Sequence, residues 1–146
     1  MRMKSILILS VALFVSMPVK ASDEGDVELV ALMQSLQYFT HKLSLSVDAK
    51  NQKLANFYAH EIEEVIEQIE KVESYDGHAV GKLVDFHLEK PFEALEKAIK
   101  SNNASDMKVK LDELIASCNK CHKATDHGYI VIKKNTNNPF MQSFKP

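Results

Sequence analysis

The sequence predicts an all-α domain: an up-down antiparallel four-helix bundle with a C-terminal non-helical tail. Three observations carry that expectation. Apolar residues recur every three or four positions through four separate stretches, the repeat of one helix face. Short polar segments join the stretches, and short links force neighbouring helices to run antiparallel. Strand-like patterning is confined to Tyr129-Ile130-Val131-Ile132, too short to build a sheet.

The chain opens on what reads as a removable address. Arg2 and Lys4 precede an apolar run from Ile6 to Val15, and Val19-Lys20-Ala21 supplies a small-residue exit. The run is too short to span a bilayer. Cleavage after Ala21 is therefore expected, with 1–21 a signal peptide and 22–146 one domain. No later stretch is apolar enough for a membrane helix. Of 18 basic and 20 acidic residues, the leader holds Arg2, Lys4 and Lys20, which leaves 15 against 20 and a net charge of −5. An acidic body argues against a nucleic-acid partner. Arg2 is the chain's single arginine, so the exported domain lacks bidentate guanidinium clamps.

The first helix is expected over about 26–49, with Leu29, Leu32, Met33, Leu36, Phe39, Leu43 and Val47 on one stripe. The second, over about 52–74, carries Leu54, Phe57, Tyr58, Ile62, Val65, Ile66, Ile69 and Val72. Glu61, Glu63, Glu64, Glu67, Glu70 and Glu73 cover its other side, a solvated face whose sharper reading is a docking patch for a basic redox partner. Ser74-Tyr75-Asp76-Gly77 marks a turn. The third helix, over about 78–100, contains Pro91, which removes a backbone donor and should kink or break it just before that residue. Asn102, Asn103 and Ser105 are cap residues for the fourth, over about 104–123. The tail, 124–146, is rich in apolar residues and is expected to fold back over the cofactor edge or an end of the bundle.

The chemistry sits at the foot of the fourth helix, in Cys118-Asn119-Lys120-Cys121-His122. Cys-x-x-Cys-His reads as a site for covalent attachment of c-type haem. Positions i, i+3 and i+4 share one helix face, so both thiols and the imidazole meet one flat object. The thiols can add across two haem vinyl groups, with His122 in reach of the iron. A redox dithiol would sit in a βαβ setting, which this chain lacks. A zinc site would need a second ligand pair at finger spacing. Export together with this motif implies one haem c per chain, attached outside the cytoplasm in a bacterial periplasm.

An exported four-helix bundle with Cys-x-x-Cys-His near its C-terminal end resembles the class II c-type cytochromes, the cytochrome c′ and cytochrome c-556 group. The resemblance covers about 26–123. It implies thioether bonds at Cys118 and Cys121 and His122 as proximal iron ligand. In six-coordinate members a Met on the first helix is the distal ligand, and Met33 stands near that depth. His41 and Met141 are the alternatives. Five-coordinate members have an apolar residue there and bind small gases. Members of the group are often homodimers through their first two helices. This chain departs from the pattern in its longer tail and in having Lys123, not Arg, after the proximal histidine.

The expected function is single-electron transfer by a periplasmic monohaem cytochrome, its redox partner unspecified. The alternative is a five-coordinate binder of nitric oxide or carbon monoxide. A third possibility is a haem-free helical module using the two cysteines as a metal or dithiol site. No nucleophile–base pair stands out, so no enzyme is expected. His60 reads as surface, His78 as a turn residue, and His87 and His127 have no stronger case.

Overall fold

A computed structural model describes residues 24–146, with side chains from Glu28 onward. The expected signal peptide and its cleavage point lie outside the described residues. Four helices account for most of the rest: α1 Glu24–Asp48, α2 Gln52–Glu70, α3 Val80–Lys100 and α4 Ala104–Ala124. They form an up-down antiparallel bundle. Packing is most extensive within the pairs α1–α2 and α3–α4, less between α2 and α3, and thinnest where α4 closes on α1.

The apolar stripes meet along the bundle axis. Leu43 of α1, Ile62 and Ile69 of α2, Leu95 and Ile99 of α3, and Met107, Leu111 and Leu114 of α4 are essentially fully buried. Each such side chain stabilises the fold by about 1.5–3 kcal/mol relative to exposure. Phe57, expected on the core face of α2, lies instead at 52% exposure.

Two links share one construction. α1 ends with Lys50 in the left-handed region (φ 56°), and the Asn51 N–H reaches back to Ser46 O at 2.9 Å. Asn51 then caps α2 by accepting from the Leu54 N–H at 3.2 Å. α3 ends likewise with Asn102 (φ 53°), and Asn103 caps α4 by accepting from the Asp106 N–H at 3.1 Å. Ser105 lies inside the first turn of α4 and is not its cap.

The link between α2 and α3 is longer, and it shortens both helices relative to expectation. Asp76 (φ 47°) and Gly77 (φ 80°) form a tight turn of the kind Asp-Gly favours, closed by paired 2.9 Å hydrogen bonds between Tyr75 and His78. Reaching that turn takes the chain out of helix at Lys71, so α2 stops at Glu70 and not 74. His78 belongs to the turn, so α3 begins at Val80 and not 78. Pro91 does not break α3: the helix runs through it unbroken to Lys100. Leu88, Phe92 and Leu95, buried on either side, hold the segment against the bundle and outweigh one lost backbone bond.

The tail runs back along the thin α1–α4 seam toward the opposite end of the bundle. Ile130 meets His122 and Ile132 meets Asn119. Lys134 then lies 3.5 Å from Asp112. Further on, Asn137 meets His41, Gln142 meets Lys42 and Tyr58, and the Phe144 carbonyl meets Asn51. Phe144 is buried, its ring 6.3 Å from that of Tyr58. Lys42 Nζ sits over Tyr38, Phe140 and Tyr58, at 4.7, 4.8 and 5.4 Å from their ring centres. The tail thus straps the seam and reaches the far end, and forms no strand.

Candidate functional site

Antiparallel packing places the start of α1 beside the end of α4. Between them opens a cleft of about 260 Å³. Met33, Val30 and Leu36 of α1 form one wall, and Cys118, Cys121 and His122 of α4 form the other. Val84 and Leu88 of α3 also line it, with Ile130 and Ile132 of the tail. Gln34, Gln37 and Thr40 add its few polar groups. The sequence-selected residues Met33, Cys118, Cys121 and His122 therefore share one mostly apolar space.

Both cysteines are free. Cys121 is buried and Cys118 half-buried. Burial first, then the nearby Cys121 sulfur, pushes the Cys118 thiol up to about 11. Burial raises Cys121 as well. Both thiols are thus held neutral at ordinary pH.

His122 is oriented by the tail. Nδ1 lies 2.9 Å from the Ile130 carbonyl oxygen. A carbonyl only accepts, so Nδ1 carries the proton, and in the neutral ring Nε2 keeps the lone pair. That is the tautomer a metal-binding histidine needs, with its second nitrogen committed to a backbone oxygen.

The other candidates are placed elsewhere. His41 lines a neighbouring cleft of about 480 Å³. Its Nε2 is 3.0 Å from the Asn137 carbonyl, and its ring lies 5.1 Å from Phe140. Met141 is fully exposed and lines neither cleft. His78 lies 3.6 Å from Asp126, just beyond the end of α4. His60 is on the surface, 3.6 Å from Glu63. His87 stacks edge-on against Phe86, and His127 lies between Tyr75 and Tyr129. Glu64, Glu67, Glu70 and Glu73 point to solvent. Partial burial, then Asp85, Glu67 and Glu89, push Glu70 above the usual carboxylate range.

Sequence reasoning missed two members of the site. One is the Ile130 backbone carbonyl, which residue identity does not announce. The other is Asn119, inside the motif, whose side chain grips Ile132. An amide placed one turn before the motif histidine was the available signal. Among the described residues no group of three His, Cys, Asp or Glu is arranged to hold a metal ion by itself. No described helix is long and apolar enough to cross a membrane. No family model, curated protein or solved structure matches this chain.

Proposed function

We propose that the cleft holds one haem c per chain and that the protein is an exported monohaem electron carrier, a divergent relative of the class II c-type cytochromes. The observation that carries this is the convergence of Cys118, Cys121, His122 and Met33 on one apolar cleft. The residues fit the group. The two thiols are free and one helical turn apart, as thioether bonds to one macrocycle require. His122 presents Nε2 as its free donor nitrogen. Met33 supplies a soft thioether from α1, the distal donor in this reading. Val84, Leu88 and Leu36 provide an apolar lining that would shield a bound haem from water. When bound, the haem supplies a one-electron couple whose potential its axial ligands and surroundings set. The chain's work is to anchor, orient and shield it. The leader expected from the sequence would deliver the chain to the periplasm.

The raised Cys118 thiol speaks against the dithiol reading, because redox-active Cys-x-x-Cys pairs depend on a lowered pKa. A five-coordinate gas binder is the second reading. The neighbouring cleft favours it, because it adjoins the first at Gln34, Gln37 and Thr40 and leaves room for a small neutral molecule beside it.

The test is to produce the full-length chain in a host that attaches c-type haem. A mass increase of one haem and a low-spin reduced spectrum are expected, with low-spin character lost in Met33→Ala. A colourless product with both thiols free or joined to each other overturns haem attachment. A high-spin wild-type spectrum with rapid carbon monoxide binding selects the second reading.

A further inference from the structure

The two residues between the cysteines have no part in attachment, yet Asn119 makes the most specific tail contact at this end of the bundle. Its Oδ1 accepts from the Ile132 N–H at 2.7 Å, and its Nδ2 donates to the Ile132 carbonyl at 2.9 Å. One side chain thus satisfies both backbone groups of one residue, as a neighbouring strand would. One turn along α4, His122 Nδ1 donates to the Ile130 carbonyl at 2.9 Å. Asn119 and His122 are three residues apart and face the same stretch of tail.

Burial holds this stretch only in part, through Ile132, which packs against the core at the cleft. Ile130 and Val131 are 44% and 56% exposed. The Ile130 N–H bonds only locally, to His127 O at 2.8 Å. The tail leaves α4 at Thr125, is held at once by the His127 N–H on His122 O at 2.8 Å, and beyond Ile130 is next fastened to the helix by the amide of Asn119. Without that grip, only the local turn at His127 would keep the Ile130 carbonyl near Nδ1, with nothing on its C-terminal side to stop it turning to water.

We infer that Asn119 is a positioning residue for His122: by clamping Ile132 it holds the Ile130 carbonyl on Nδ1, so the tail sets the orientation and basicity of the imidazole. The inference rests on the haem reading above. A hydrogen bond from Nδ1 to a carbonyl makes a ligand histidine more basic and fixes its plane. A more basic ligand favours the ferric iron and lowers the midpoint potential.

The sign of the response separates this role from a structural one. Losing the clamp frees Nδ1, weakens the imidazole as a donor and raises the potential. If Asn119 only kept the tail over the cleft, its loss would admit water, favour the more highly charged ferric state and lower the potential. Asn119→Ala removes the amide, and Asn119→Leu removes it while keeping a side chain of similar size against Ile132. The full-length chain with haem attached is the material for both. Expected results are an upward shift of midpoint potential in both variants and retention of the His122-ligated spectrum. The Ile132 amide, protected from hydrogen exchange in the wild type, is expected to lose that protection in both. A downward or absent shift accompanying lost protection overturns the inference. So does an Ile132 amide that exchanges freely in the wild type. A colourless chain would overturn the haem reading instead, and hydrogen exchange at Ile132 would still judge the clamp.

Discussion

Replacing Gly81 by alanine drives a methyl group into backbone that cannot rotate away. A Cβ there would lie 2.2 Å from Glu70 O, 2.8 Å from Glu70 C and 2.9 Å from Val72 O. The Gly81 N–H also donates to Val72 O at 2.9 Å, so the first turn of α3 is drawn onto the end of α2. Alanine gains about 1 kcal/mol of helix propensity over glycine. Overpacking costs about 1–3 kcal/mol, and the upper end applies because backbone must move. Disrupting the hydrogen bond costs about 1 kcal/mol more. The net is a destabilisation of about 3 kcal/mol. At about 4 °C per kcal/mol for a domain of this size, Tm falls by about 12 °C. Thermal unfolding followed by far-ultraviolet circular dichroism measures it. The site responds too, because Val84, three residues on, lines the cleft. A Tm equal to or above the wild type would refute the reasoning, since helix propensity would then have outweighed the clash.

The Cys118 thiol provides a pH test on haem-free chain. With its pKa raised from 9.0 to about 11, the thiolate fraction at about pH 8 falls about 100-fold, and alkylation by iodoacetamide slows by the same factor. The unfolded chain ionises this thiol from pH 9.0 upward while the folded chain resists until about 11. Its contribution to stability is therefore complete below pH 9 and is lost as pH rises through 11. Urea titrations across that interval check the sign. Asn51 joins the first link to the end of the tail, capping α2 and donating to the Phe144 carbonyl at 3.2 Å. Asn51→Ala should cost about 1–2 kcal/mol. Asn51→Asp keeps the cap acceptor but loses the tail bond, and should cost less.

The bundle was legible because burial leaves a periodic mark. Leu29, Leu36, Leu43 and Val47 recur at helical spacing and all lie in the core. From four such stripes and short links, the meeting of Met33 with Cys118, Cys121 and His122 follows without coordinates. Helix ends were less legible. Lys71 to Ser74 look helical in composition, but the Asp-Gly turn after them demands extended chain. Pro91 shows packing overriding a local signal. The tail was least legible: its aromatic and apolar residues declared that it would not dangle, but its route depends on Asn119, Lys42, Tyr58 and Asn51, spread over three helices and a link.

Because Asn51 and Asn103 each finish one helix and begin the next, the two short links contain no slack. The molecule is in effect two stapled hairpins, α1 with α2 and α3 with α4, facing each other like the covers of a book. Its spine is the longer link through Gly77, and its fore-edge is the sparse meeting of α1 with α4. On the haem reading, the macrocycle would lie at that fore-edge, where neither hairpin need come apart to admit it. The last twenty-odd residues lie along that fore-edge as a clasp, touching α4, α1, α2 and the first link in turn.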